Sequence, residues 1–148
     1  MSRIISYRGL LANGGQDTIN LHTNDGKTGY KVIKFQVIPE NPFAAADKEL
    51  VMKIYKIEQT TIDGVVNFSE NILLAVAIYS DSDGSAAPVT QSSDAVIFDN
   101  EIFNQDIYVT CVDKHGSQSG NYYIELEQVD LTEDQALVAI VKNLRNEQ

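Results

Sequence analysis

The feature that most constrains this chain is a train of short apolar segments separated by turn-forming residues. They fall at residues 3–11, 17–22, 29–38, 49–58, 71–80, 94–99, 105–113 and 121–129. Several alternate. Ile33, Phe35 and Val37 fall on one face and Lys34 and Gln36 on the other. Ile107, Val109 and Cys111 repeat the pattern, as do Tyr122, Ile124 and Leu126 against Glu125 and Glu127. A period of two belongs to a strand with one face buried and the other wet. Residues 72–78 do not alternate, which places them centrally, covered on both sides. Many short strands with turns between them predict an all-β antiparallel sandwich, jelly-roll-like, of about eight strands. Leu74, Val76, Ile78, Ile107, Val109 and Ile124 are its expected core.

The punctuation sharpens this reading. Asn24-Asp25-Gly26 offers the positive-φ residues of a tight hairpin between 17–22 and 29–38. Asp63-Gly64 and residues 116–120 mark further turns, the latter a hairpin loop. Residues 39–47 and 81–93 read as long exposed loops. One change of period occurs. From Thr132 the apolar positions become Leu137, Ile140, Val141 and Leu144, one face of a helix. Thr132 with Gln135 resembles a capping box, and Glu133 and Asp134 suit the positive N-terminal end. This helix has two uses open to it, packing on its own sandwich or reaching across to a neighbouring subunit.

A chain of 148 residues that is 43% hydrophobic can build one ordinary core, so residues 1–148 are expected to form a single domain with its helix from about 132. No apolar run approaches the roughly 20 residues of a membrane span, and no signal-peptide pattern opens the chain. The formal net charge is −10, unevenly spread. Residues 1–40 carry five Lys/Arg against three Asp/Glu, whereas residues 81–148 carry three against thirteen. Such a balance opposes a phosphate backbone, so neither nucleic acid nor membrane is an expected partner. An acidic face that docks a basic partner or a cation remains open beside a plainly solvated one.

Catalytic signatures fail one by one. Gly116-Ser117-Gln118-Ser119-Gly120 places Gln where a nucleophile elbow needs Ser, and lies between two strands. There is no phosphate-cradling loop, HExxH or dinucleotide fingerprint. Asp81-Ser82-Asp83-Gly84 has the opening spacing of a calcium loop without its later Glu, and reads as a solvated turn. His22 and His115 read as surface residues and Cys111 as a core thiol; one cysteine and two histidines do not make a zinc site. Asn67-Phe68-Ser69 matches a glycosylation sequon without a secretory context. The expectation is no enzyme, no cofactor, no metal and no catalytic residue.

Three blocks carry a resemblance. Residues 21–35 (LHTNDGKTGYKVIKF), 96–110 (VIFDNEIFNQDIYVT) and 121–128 (NYYIELEQ), about a quarter of the chain, resemble small virion structural proteins of tailed phages, especially marine ones. The resemblance implies a particle component in the virion, assembled in the host cytoplasm. Capsid decoration (cement) protein, capsomer or vertex protein, and neck or tail accessory all fit, and no site residue carries over. The implied partners are other copies of the chain, as a homo-oligomer, and other virion proteins. The alternative is a module that binds a glycan or cell-surface polymer. Contacts are expected from residues 1–12 and 132–148 and from loops 39–48 and 81–93, with the more basic N-terminal third meeting acidic regions of other copies.

Overall fold

Two antiparallel sheets of unequal width face each other. The structure, a computed structural model, describes residues 3–43, 47–82, 91–98 and 101–146. Its strands are β1 (Arg3–Leu11), β2 (Gln16–Ile19), β3 (Thr28–Pro39), β4 (Lys48–Tyr55), β5 (Leu73–Asp81), β6 (Gln91–Ile97), β7 (Ile107–Asp113) and β8 (Gly120–Asp130), followed by helix α1 (Glu133–Asn146). Each strand coincides with one of the eight alternating or apolar segments. The three-stranded sheet has the order β1-β8-β3 and the five-stranded sheet the order β2-β7-β4-β5-β6. Pairing is nested, β1 with β8, β2 with β7 and β4 with β5. That is the order of a jelly roll with one departure: β6 pairs with β5 in the wide sheet, so among the described residues β3 has no strand ladder on its outer side.

The core fills the space between the sheets. Leu50, Met52 and Ile54 of β4, Ile107, Val109 and Cys111 of β7, and Ile124 and Leu126 of β8 are wholly buried. Each such aliphatic side chain contributes about 1.5–3 kcal/mol over its exposed state. The wide sheet is also covered on its outer side. Residues 56–72, the connection from β4 to β5, lie across it and help bury Lys53, Tyr55, Leu73 and Val76. The cover is pinned by Lys53, whose ammonium donates to Asp63 Oδ1 (3.1 Å) and the Val65 carbonyl (2.6 Å). Gln16 and Gln59 add a reciprocal pair of bonds, at 3.0 and 2.9 Å. Burial alone would push the Lys53 ammonium down, but Tyr55 and Asp63 outweigh it and hold its pKa above the ordinary value.

Several expectations are corrected here. Asn24-Asp25-Gly26 does turn the chain, with Gly26 at φ 67°, but β2 and β3 belong to opposite sheets, so the turn is a corner and not a hairpin. Residues 116–120 likewise carry the chain from β7 in one sheet to β8 in the other. A bulge between Val32 and Lys34 shifts the phase of β3. Tyr30, Val32, Phe35 and Val37 therefore face the core, while Ile33 is half-buried outside that set. In β5, Leu74 and Val76 are buried as expected. Ile78 is 40% exposed because it lies on the outer face, paired with exposed Asp94 of β6.

Helix α1 starts on the expected cap, Thr132 N donating to Gln135 Oε1 (2.9 Å) and Gln135 N to Thr132 Oγ1 (3.2 Å). It rests on the loops at Gly26 and Asn104, on a face rotated from the apolar stripe. Ala136 is buried and Ile140 half-buried, whereas Leu137, Val141 and Leu144 are exposed. The reason is local. Buried Asn104 donates to the Gly26 carbonyl (2.9 Å) and the Ala136 carbonyl (3.2 Å), drawing the small-residue side of the helix onto the corner at Gly26.

Candidate functional site

The mismatch between three and five strands produces the molecule's most distinctive surface. β3 pairs with β8 on one side, and on the other it is bridged by Phe103 only at Tyr30. From residue 33 to 38, no described residue forms a ladder with that outer edge. β6 lies nearby in the opposite sheet, hydrogen-bonded to β5 alone among the described residues. β3 of the narrow sheet approaches it without pairing, and every residue from Gln91 to Val96 is exposed while only Ile97 is half-buried. Between the two edges runs a groove of about 790 Å³. Its floor is Phe35, Val37, Ala77 and Tyr79, and its far wall is Ser93, Ala95 and Ile97, which share the inward phase of Ala75, Ala77 and Tyr79 through the β5–β6 register.

One end of the groove is built with care. Lys48 and Asp81, cross-strand partners on β4 and β5, form an ion pair at 3.0 Å with both side chains at 0% exposure. Asp81 also accepts from the Tyr79 hydroxyl (3.1 Å) and from the Phe43 amide (3.0 Å). Phe43 is held at φ 56°, a region bulky residues avoid, with its ring half exposed at the groove mouth beside Pro42. Asp81 is therefore no solvated turn or cation ligand; burial with Lys48 commits both of its oxygens. Asp83 and Gly84 lie outside the described residues.

The other sequence candidates are scattered. The His22 ring meets Asp106 Oδ1 at 2.7 Å, and the Leu21 and His22 amides donate to the same oxygen. Burial raises the Asp106 pKa, but these bonds outweigh it and hold the carboxyl below its ordinary value. His115 lies 3.9 Å from Asp47, at the other end of the chain's pairings. Residues 115–118 wrap a carboxylate: Asp113 accepts the amides of Glu49, His115, Gly116 and Gln118 at 3.0–3.1 Å. Burial pushes the Asp113 pKa up, and these amides more than reverse it. Cys111 is wholly buried, and loss of solvent pushes its thiol up to about 11. Asn67 and Ser69 sit exposed in the cover segment. Among the described residues, no group of three His, Cys, Asp or Glu side chains could hold a metal ion. Nor is any described helix long and apolar enough to cross a membrane.

A second cleft, about 640 Å³, lies between the end of α1 and the cover segment. It is lined by the Lys56–Glu101 ion pair, Phe68, Phe98, Lys142 and Arg145. Its two phenylalanines meet edge to face at 76°, which offers no flat stacking platform.

Sequence reasoning missed the groove, since it is a property of strand count in two sheets. No protein-family model and no curated protein matches the chain. Among solved structures, it is similar to a Bacillus endospore appendage subunit, described as belonging to a novel family of disulfide-linked pili. The identity is 10% and the TM-score 0.35, over 89% of this chain and 92% of that one. A likeness that low carries nothing over to this chain.

Proposed function

We propose that this chain is a non-enzymatic structural protein of a tailed-phage particle, a capsid decoration (cement) protein or another assembly component, working by subunit–subunit contact. The observation that carries the contact reading is the groove: two strand edges, neither in a second ladder among the described residues, flank an apolar floor, an arrangement another polypeptide can cover. Leu137, Val141 and Leu144 on the exposed side of α1 add a second apolar surface. The phage assignment rests on the resemblance of residues 21–35, 96–110 and 121–128. These blocks are neighbours in the fold. Tyr30 pairs with Phe103, Asn104 binds the corner at Gly26, Asp106 holds Leu21 and His22, and β3 pairs with β8. They act as a set that locks one end of the sandwich, in keeping with a scaffold and not with chemistry.

The alternative, a glycan-binding module, calls for exposed coplanar rings. Phe68 and Phe98 meet edge to face, and Tyr30 and Phe103, which do stack, are buried. The test is mass spectrometry of purified particles, with the full chain and a chain lacking residues 132–148 supplied during infection. Full chain at stoichiometric amounts and poor incorporation of the truncated, folded chain are expected. Absence of the full chain from particles would overturn the virion reading. Equal incorporation of both would remove α1 from the contact surfaces.

A further inference from the structure

We propose that two copies of this chain pair through α1, antiparallel about a two-fold axis, each helix laying its outward face along the other's. This rests on the contact reading, names its partner as a second copy of the same chain, and uses a surface separate from the groove.

A helix of about 12–15 residues is marginal on its own in water and draws its stability from burying an apolar face. In α1 most of that face is bare. Leu137, Val138, Val141 and Leu144 are 61%, 55%, 43% and 53% exposed. The protein's own body takes Ala136 and, in part, Ala139, Ile140 and Asn143. At about 3.6 residues per turn, those four share one side of the helix. The opposite side is then Asp134, Val138, Val141 and Arg145, with Leu137 and Leu144 together along one margin.

The order of residues on that outward side selects the partner. The steps from Asp134 to Val138, Val141 and Arg145 are four, three and four, the same from either end, with an acid at one end and a base at the other. Such a surface fits a reversed copy of itself. With the axis between residues 139 and 140, Asp134 meets the partner's Arg145 and Val138 meets the partner's Val141. Each relation occurs twice, as an isologous contact requires. The axis keeps the leucine margins on one side, so Leu137 comes beside the partner's Leu144. A parallel pair would set Asp134 against the partner's Asp134. Because the contact side lies opposite Ala136, the two sandwiches fall on opposite sides of the helix pair.

Charge agrees at a larger scale. Residues 81–148 carry thirteen Asp/Glu against three Lys/Arg, and two of those three, Lys142 and Arg145, lie in α1, where they balance Glu133 and Asp134. The helix is thus a neutral strip on a molecule of formal net charge −10, where two copies meet with unlike charges opposed. One helix pair falls short of the roughly 1,200 Å² at which stable interfaces begin, so the dimer is weak in solution and gains when many copies share one particle.

The test is sedimentation velocity of the full chain across a concentration series, beside three variants. Val141 is exposed, so Val141→Glu should fold as the parent does, which circular dichroism checks. The wild type should form a dimer as concentration rises, and Val141→Glu should raise the concentration required about tenfold or more. Asp134→Arg should weaken the dimer about threefold or more, and adding Arg145→Asp should restore most of the loss by reversing the pair. A dimer indifferent to Val141→Glu would overturn the inference and leave the contact reading standing. Failure of the double variant to recover would overturn the antiparallel arrangement. A chain that stays monomeric at every concentration also overturns the inference, and its presence in purified particles then decides whether the contact reading survives.

Discussion

β5 and β6 are hydrogen-bonded neighbours from Ala75 and Ile97 to Asp81 and Gln91, yet one is buried almost throughout and the other exposed almost throughout. β5 pairs on both sides, with β4 and β6, packs against β3 and lies under residues 56–72; β6 is the edge strand of its sheet, approached by β3 from the narrow one. Composition follows the surroundings, LLAVAIYSD against QSSDAVI. The edge position leaves β6 largely exposed, and that distinguishes the groove beside it from the closed remainder of the sandwich.

The contrast can be broken most forcefully at the buried end of β5. Lys48→Met leaves the Asp81 carboxylate unpaired without solvent and should cost about 3–5 kcal/mol in urea unfolding, with much of it regained by adding Asp81→Leu. In the inter-sheet core, Leu74→Ala should cost about 2–5 kcal/mol by lost burial and cavity formation. Val76→Ala, under the thinner cover of residues 56–72, should cost on the order of 1–3 kcal/mol. If Val76 proved neutral, the cover would not be packed as described. Next in size is an alkaline effect. Burial, then the hydrogen bond to Asp81 and its charge, raise the Tyr79 pKa above the ordinary 10.0. The fold therefore favours the neutral phenol, a contribution fully present below pH 10.0 and lost as pH rises through the raised value. Thermal unfolding should show this loss at alkaline pH, reduced in Tyr79→Phe. Smallest of all, Ser92→Ala and Ser93→Ala on β6 should change monomer stability by less than about 0.5 kcal/mol.

Much of this was legible in the sequence because alternation is a local signal. Ile107, Val109, Cys111, Tyr122, Ile124 and Leu126 declared their faces directly, and the Thr132–Gln135 cap marked the helix start. What was hidden depends on partners far along the chain. The bulge that moves Ile33 out of phase is defined only against β8. Asn24-Asp25-Gly26 looks like a hairpin until β2 pairs with β7 and β3 with β8. The stripe of Leu137, Ile140, Val141 and Leu144 suggested one buried face, but Asn104 and the small residues near Gly26 offered a closer fit to another. Residues 94–99 read as one more strand of the sandwich. The exposure of Asp94, Ala95 and Val96 follows from the edge position of β6.

The most direct test of the contact reading is amide hydrogen exchange on the full chain, compared between dilute and concentrated solution. The result expected is new protection in residues 33–38 of β3 and in Gln91–Ile97 of β6, the two walls of the groove, with β5 unchanged because β4 and β6 already hold its main chain on both sides. New protection confined to α1, or none in β3 and β6 while the chain is assembled, would contradict it.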